Sequence, residues 1–408
     1  MTETLSASCV VVGGGPAGMM TAYLLARAGV DVVVLERHAD FFRDFRGDTI
    51  HPSTMQVMLE LGLLEEFLRV PHQVVTHAEL EMAGERLRVA DFTHVPTRCK
   101  FIAFMPQWDF LNFLAEKGRA FSSFHLLMEA EARALVRENG RVVGVRARRP
   151  SGETEIRAPL VIGADGRQSA MRDDAGVRAR DIGAPMDVLW FRLSHREREH
   201  HAVLGRIEAG QALVMLDRQE YWQTALIIPK GTFDAVKALG LEAFRARIAR
   251  LARRDDADDI RSWDDVKLLS VKVDRLERWH QPGLLFIGDA AHAMSPIGGV
   301  GINLAIQDGV AAANILADPL SRGGVTERDL ARVRRRRWLP TCATQAIQVA
   351  IQNNVISPVL HGSQALRVPG VLRLAQRWPV LQRLPARLIG VGIRPEHVRT
   401  PARSPAPS

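Results

Sequence analysis

The sequence predicts an α/β fold: a parallel, doubly wound sheet, interrupted by a second, sheet-based unit and followed by a helical C-terminal region. Three observations predict it. Short, fully apolar runs (Cys9 to Val12, Val32 to Leu35, Leu160 to Ile162, Leu284 to Ile287) lack the alternation of half-exposed strands and read as buried parallel ones. Three of these runs enter glycine turns that lead towards helices. Residues from about Val188 to Val273 alternate instead, and the chain beyond Gly301 is patterned as helix.

In order, Cys9 to Val12 is a strand, Gly13 to Gly18 a turn, Ala17 to Ala28 a helix stopped by Gly29, and Val32 to Leu35 a second strand. This is a βαβ opening, from which parallel pairing follows. His51 to Arg69 reads as a helix pair, with Met55, Met58, Leu59 and Leu63 at helical spacing. Val74 to Val89 reads as a hairpin-like insertion around Ala83-Gly84, and Gln107 to Lys117 as a helix. Leu126 to Ile162 reads as a three-stranded meander broken at Glu138-Asn139-Gly140 and Pro150-Ser151-Gly152, ending in the strand before Gly163. After Leu284 to Ile287 comes a helix over Gly301 to Leu316, then Arg-rich helices punctuated by prolines.

The expected organisation is a discontinuous nucleotide-binding domain (1–72, 98–180 and 275–330) and a substrate domain (73–97 and 181–274). C-terminal helices (331–399) and a disordered tail (400–408) complete it. With 408 residues, 47% of them hydrophobic, the chain can bury a sizeable core. Its 3 cysteines, Cys9, Cys99 and Cys342, form no C-x-x-C pair; they argue for a reducing, cytoplasmic setting and read as small core residues. No signal segment is expected at the first residues, and no stretch reads as the ~20 apolar residues of a membrane span. The net charge of +8 suits an anionic ligand or surface, but the basic residues are scattered, so no nucleic-acid partner is expected.

Three motifs carry the chemistry. In Gly13-x-Gly15-x-x-Gly18 the first glycine permits a tight turn, the second lets backbone approach a pyrophosphate, and the third lets the helix pack on the sheet. The helix N-terminus offers free N–H groups to phosphates, and Glu36, after the second strand, can accept hydrogen bonds from ribose hydroxyls. Gly163-Ala164-Asp165-Gly166-Arg167-x-Ser169-x-x-Arg172 follows another buried strand and also reads as an Asp-Gly turn with a capping Ser. Gly288-Asp289-Ala290-Ala291-His292, followed by Ser295 to Asn303, puts a carboxylate at a strand end before a glycine-rich loop and a long helix. Its helix N-terminus could stabilise negative charge, while Asp289 also reads as a plain N-cap.

These motifs, in this order and at these separations, resemble those of the FAD-dependent aromatic hydroxylases, the single-component flavoprotein monooxygenases typified by para-hydroxybenzoate hydroxylase; the resemblance runs from about Val10 to Asp308. It implies a Rossmann-like FAD-binding domain. It also implies that Gly13, Gly15 and Gly18 hold the FAD pyrophosphate and Glu36 the adenosine ribose, with Ala17 and Arg37 among the cofactor-binding residues. Arg46 would lie near the flavin and phosphates, Gln107 by the ribityl or adenosine side, and Asp289 on the ribityl chain. Pro296 and the backbone of Gly299, Gly301, Ile302 and Asn303 would flank the isoalloxazine, and Asp165 and Arg172 would belong to a motif serving FAD and the nicotinamide nucleotide.

The implied activity is NAD(P)H- and O2-dependent hydroxylation through a flavin C4a-hydroperoxide, needing no metal and no protein nucleophile but a dry pocket. No catalytic residue is assigned. Trp190, Arg192, Met215, Tyr221 and Gln223, with Pro296 and Ile297, are the substrate-contact candidates, although Trp190 and Met215 also read as core. Their character suggests a hydrophobic phenolic, quinone, polyketide or quinolone-like substrate. His51 and His292 lie in flavin-adjacent motifs and read first as structural. Rival readings keep the fold and change the chemistry: a Baeyer–Villiger oxygenase, a reductase, a halogenase, or a non-catalytic binding protein. The halogenase Trp-x-Trp-x-Ile-Pro is incomplete here, because Trp222 has no second Trp after it. A monomer or homodimer is expected. The segment from Val368 to Val391 reads as a C-terminal cap, with a membrane-surface role as its alternative.

Overall fold

The computed structural model describes residues 3–42, 49–195, 203–218, 220–362 and 368–403. The chain opens with β1 (Glu3–Ser6) and β2 (Cys9–Val12), turns into α1 (Pro16–Arg27) and returns as β3 (Val32–Leu35). Pro16 starts α1, where a missing N–H costs nothing, and Gly29 at φ +80° ends it. After β4 (Thr49–Ile50) come α2 (Pro52–Glu60), α3 (Leu64–Phe67), β5 (Gln73–Val75) and a hairpin of β6 (His77–Met82) and β7 (Glu85–Asp91). Then follow β8 (Ile102–Phe104), α4 (Gln107–Gly118), β9 (Phe124–Leu127), β10 (Glu131–Glu138), β11 (Arg141–Arg149), β12 (Gly152–Arg157), β13 (Val161–Gly163) and α5 (Ala170–Asp174). The inserted stretch holds β14 (Arg180–Asp181), β15 (Met186–Ser194), β16 (Val203–Glu208), β17 (Gln211–Asp217), β18 (Tyr221–Pro229), α6 (Phe233–Ala238), α7 (Leu241–Ala252) and β19 (Lys267–Leu269). The chain returns through β20 (Asp274–Arg275), β21 (His280–Gln281), β22 (Leu284–Phe286) and β23 (His292–Ala293). It ends in α8 (Val300–Ser321), α9 (Glu327–Ile351), α10 (Ser357–His361), α11 (Gly370–Arg377) and α12 (Arg383–Gly390).

The central sheet has the order β21-β22-β13-β2-β3-β9, parallel throughout except for β21. β2, β3, β13 and β22 are buried along their whole length, as their unbroken apolar runs require. Leu126 and Leu127 belong to β9 in this sheet and not to the meander, which consists of β10, β11 and β12 with β1 added in parallel. A seven-stranded sheet, β19-β15-β18-β17-β16-β6-β7, draws its strands from both inserted stretches.

This second unit is not sheet alone. Helix α7 buries Phe244, Ile248 and Leu251, spaced i, i+4 and i+7, against one face of the sheet, with Leu189, Phe191, Met215 and Trp222 beneath them.

Helix α8 crosses α1 closely: a Cβ on Gly309 would lie 2.8 Å from the Ala17 carbonyl oxygen. The sequence stretch Ile297–Ser321 has a window of mean hydropathy 1.3, long and apolar enough for a span by length and composition, contrary to the expectation that none exists. That window is 78% buried inside the protein, the signature of a core helix. The last described residues are held and do not dangle from Thr400 as expected. Thr400 is buried, its carbonyl accepts from Arg27 Nη1 at 3.2 Å, and the Arg403 N–H donates to the Arg27 carbonyl at 2.9 Å.

Candidate functional site

The three glycine motifs follow β2, β13 and β22, adjacent parallel strands, so all lie at the carboxyl end of one sheet, where open α/β folds bind ligands. Gly13 has φ +108°, and a Cβ there would sit 2.4 Å from the Ala164 carbonyl oxygen, so the first and second turns touch. A Cβ on Gly18 would sit 2.0 Å from the Gly13 carbonyl oxygen, the close helix–strand approach that the third glycine serves. Gly15 is different: nothing lies within 4 Å of its Cβ position. It caps α1 with no side chain in the way, leaving the helix N-terminus open to a phosphate. Ala17 is buried in the first turn of α1. Glu36 accepts the Gly14 N–H at 3.1 Å and the His38 N–H at 3.0 Å, so it braces the turn as well as standing where a ribose would bind. Arg37 is exposed beside it and donates to His38 Nε2 at 2.9 Å. Arg46 lies outside the described residues.

The other two motifs meet side chain to side chain. Arg167 donates its Nε–H to Asp289 Oδ2 at 2.9 Å and its Nη2–H to the Met294 carbonyl at 3.3 Å. Its buried Nη1 has no partner among the described residues, a donor left for a bound group. Arg167 was not singled out from sequence, although it sits inside the quoted motif. Asp165 and Arg172 serve the turn itself. Asp165 accepts from Ser169 Oγ at 2.5 Å and the Met171 N–H at 3.1 Å, and burial pushes its carboxyl above the usual range despite those bonds. Ser169 caps α5, and the buried Arg172 donates to the Arg167 carbonyl at 2.8 Å. Arg172 is thus a brace of the turn, held beneath the surface.

After Asp289, the loop from Pro296 to Gly299 reaches the N-terminus of α8 through two left-handed glycines, Gly298 (φ +77°) and Gly299 (φ +62°). Gly299 packs so tightly on Thr49 that a Cβ would lie 2.4 Å from Thr49 Oγ1. No side chain caps α8, so its first N–H groups remain available, with Gly301 and Ile302 in the first turn. Asn303 turns out to be a brace. Its Oδ1 accepts the His51 N–H at 2.9 Å and Thr54 Oγ1–H at 2.8 Å, and its Nδ2 donates to the Thr49 carbonyl at 3.0 Å. Gln107 opens α4, half-buried and with no protein partner among the described residues. It stands three residues after Phe104, the strand partner of Thr49.

Support for this loop comes from α9 and from Gln352, the residue that follows it, and neither carries a signal of it in the sequence. Gln348 Nε2 donates to the Ser295 and Ile297 carbonyls, both at 2.9 Å, and Gln352 Nε2 donates to Ser295 Oγ at 2.9 Å. His51 is fully buried; its Nδ1 lies 2.7 Å from the Ile389 carbonyl, which makes Nδ1 the protonated nitrogen and leaves Nε2 a bare acceptor without a partner. Burial lowers its pKa to about 4 even though that backbone bond opposes the shift. His292 is structural: its Nε2 bonds Asp308 Oδ2 at 2.6 Å and its ring lies 4.9 Å from that of Trp279.

The seven-stranded sheet turns its other face to the glycine loop. Met186, Val188, Trp190, Ala212, Val214, Ala225 and Ile227 lie on that face, with Ile297 packed among them. Gln223 shares the face, is buried, and accepts from Arg218 Nε at 2.9 Å. Further out, the exposed Arg192 guanidinium stacks on the Tyr221 ring at 4.6 Å. Met215 is the exception among the substrate candidates. The period of two puts it on the opposite face, buried under α7, where it cannot meet a ligand at the loop. Trp222 is there too, stacked on His195, so the partial halogenase-like string faces away from the site.

Comparison with known proteins agrees with this geometry. The family described as "FAD binding domain" matches residues 6–345. The chain is 33% identical over 383 residues to 6-methylpretetramide 4-monooxygenase of Streptomyces rimosus, covering 93% of this chain and 91% of that one. It is 26% identical to dialkyldecalin synthase of Streptomyces rugosporus, covering 75% of this chain but only 64% of that protein. Among solved structures, the anhydrotetracycline hydroxylase OxyS of Streptomyces rimosus superposes with a TM-score of 0.75 at 22% identity, covering 95% of this chain and 77% of that one. The open cradle at Gly15, the unpartnered donor of Arg167 and the uncapped α8 fit the group that such proteins carry. The chain belongs to the FAD-dependent aromatic hydroxylase family and is an FAD-dependent monooxygenase.

Proposed function

We propose that the chain uses NAD(P)H and O2 to hydroxylate a large, hydrophobic, polyketide-like aromatic substrate, as a cytoplasmic enzyme. The observation that carries this reading is the apolar sheet face, from Val188 and Trp190 to Ala225, packed over Ile297 beside the glycine loop. FAD, when bound, supplies the electron transfer and the oxygen activation. The protein's part is to bind, orient and exclude water. Gly15 and the start of α1 hold the pyrophosphate, while the Arg167–Asp289 pair orients the ribityl chain. The free N–H groups at the start of α8 stabilise negative charge beside the ring. Trp190 and Ile297 keep the reacting face dry, and Gln223, fixed by Arg218, offers a polar anchor for a substrate oxygen. The activity for which the Streptomyces rimosus relative is named, on 6-methylpretetramide, supports the polyketide class.

The test is the absorption spectrum of the purified protein, then NAD(P)H oxidation with a panel of phenols, quinones and polycyclic polyketides. A flavin spectrum, substrate-stimulated oxidation and a product heavier by one oxygen are expected. A product isomeric with its substrate, formed without NAD(P)H, would overturn the hydroxylase reading in favour of non-redox catalysis on the same fold.

A further inference from the structure

Between His361 and Pro395 the chain has arginines at 367, 373, 377, 383, 387 and 394 and no Asp or Glu. Helices α11 and α12 lie within this stretch, and each uses one face for packing. Leu372 packs with Met82 and Leu87, and the Gln376 side chain exchanges two hydrogen bonds with the Arg88 backbone at 3.0 and 2.8 Å. Ala386 and Ile389 pack with Phe92 and Phe104. That much is the expected C-terminal cap.

The outward face is apolar as well. Val371 and Leu374, one turn apart on α11, are 69% and 49% exposed, Trp378 just after the helix is 58% exposed, and Val380, Leu381 and Leu384 continue the patch at 55%, 39% and 65%. A cluster of exposed large side chains within fourteen positions differs from the singly scattered exposed leucines of an ordinary surface. The patch is bordered by Arg377, Arg383 and Arg387, none within ion-pair distance of a carboxylate among the described residues; Arg373 alone is paired, with Glu85 at 3.0 Å. An apolar face with a tryptophan and a border of unpaired arginines, on short helices lying along the surface, is the make-up of an interfacial segment.

We propose that this face docks the enzyme on an anionic lipid bilayer as a peripheral protein. The unpaired arginines select the occupant: a second copy would bring like charges together, whereas anionic headgroups neutralise them while the apolar side chains enter the acyl boundary. Position gives the docking a use. The Ile389 carbonyl of α12 bonds His51, and Gly390 lies against Pro52, so the docked helix is one layer from the loop that holds the flavin. An apolar substrate dissolved in the bilayer could then enter without crossing water; that last step rests on the substrate reading above, and the docking does not.

The experiment is flotation of the FAD-loaded full chain with vesicles of neutral phosphatidylcholine or with about 30% phosphatidylglycerol added, at about 0.1 M and about 0.5 M salt. Binding is expected on the anionic vesicles at low salt, at least about tenfold weaker on neutral ones and lost at high salt. The paired substitutions Leu374→Ser with Trp378→Ser, and Arg377→Glu with Arg383→Glu, change exposed side chains only. Each is expected to keep the flavin spectrum and to lower vesicle binding about tenfold. Failure to float with any vesicle, or flotation unchanged in both variants, overturns the proposal. A dimer that the serine variant dissociates, with no flotation, also overturns it, because a second copy then covers the face.

Discussion

At the scale of single residues, the glycines of the first motif separate two demands that sequence motifs merge. Gly18 is required by the fold, since any Cβ collides with the Gly13 carbonyl; Gly15 is required only by the ligand, because its Cβ would point into open space at an ordinary φ of −76°. Gly15→Val is therefore expected to fold with the urea midpoint of the flavin-free parent and to lose FAD, whereas Gly18→Ala falls below that midpoint. Urea titration and flavin content of both variants check this, and a Gly15→Val protein that keeps its FAD would refute the open-cradle argument. His51 gives a prediction in pH. Its folded pKa, about 4, lies below the ordinary 6.5 because burial disfavours the charged ring. Between those values the unfolded chain binds a proton that the folded one does not, so stability falls as pH drops from about 6.5 to about 4, by about 3 kcal/mol in all. His51→Gln, which can still donate to the Ile389 carbonyl, is expected to remove that part of the slope. Identical pH profiles of the two urea midpoints would show that His51 is not the group responsible.

At the scale of elements, what was legible followed from pattern, and what was hidden was tertiary. Buried strands such as Val32 to Leu35 announce themselves as unbroken apolar runs, and the hairpin turn at Ala83-Gly84 and the cap at Ser169 follow from local chemistry. Helix α7 was passed over because it lies in a stretch read for alternation, although Phe244, Ile248 and Leu251 carry the helical period. Met215 was misplaced because sequence shows that strand residues alternate but not which face meets the ligand. The support given by α9 to the glycine loop was beyond reach: nothing around Gln348 or Gln352 signals that their amides reach Ser295 and Ile297, more than fifty residues earlier. These bonds make a prediction. Gln348→Leu deprives two loop carbonyls of donors and the buried Ser295 N–H of an acceptor. A loss of about 2–4 kcal/mol in stability is expected, together with weaker FAD binding and more hydrogen peroxide released per NAD(P)H as the loop loosens. Unchanged peroxide yield and FAD affinity would mean that the loop is held well enough by Asn303 and Thr49 alone.

At the scale of the whole molecule, one buried charge network ties the cofactor motifs to the end of the chain. Asp308, in the middle of α8, accepts the Gly288 N–H at 3.1 Å, His292 Nε2 at 2.6 Å and Arg337 Nε at 2.9 Å. Burial alone would raise the Asp308 pKa, but the attraction of His292 and Arg337 outweighs it and holds the carboxyl below the usual range. Arg337, itself buried in α9, reaches on to Glu396 at 3.3 Å, and Glu396 is held in turn by Arg336 at 2.6 Å. Neighbouring bonds fasten the terminal segment to α2 and α8, through Val398 on Glu60 and Arg399 on Asn314, both at 2.8 Å. The charges are fully paired in the folded state, so removing one partner costs more than the pair ever contributes. Arg337→Met is expected to cost about 3–5 kcal/mol, since it leaves Asp308 and Glu396 each short of a cation in a buried site. It should also speed FAD release, because Asp308 positions the backbone of Gly288, next to Asp289. Asp308→Asn alone leaves Arg337 with Glu396 as its remaining carboxylate partner. The double variant removes both charges, so its loss should fall short of the sum of the single losses by more than about 1 kcal/mol. Additive losses would show that Asp308 and Arg337 act independently, and the link from the C-terminal helices to the flavin loop would then run through the Ile389–His51–Asn303 bonds rather than through the charges.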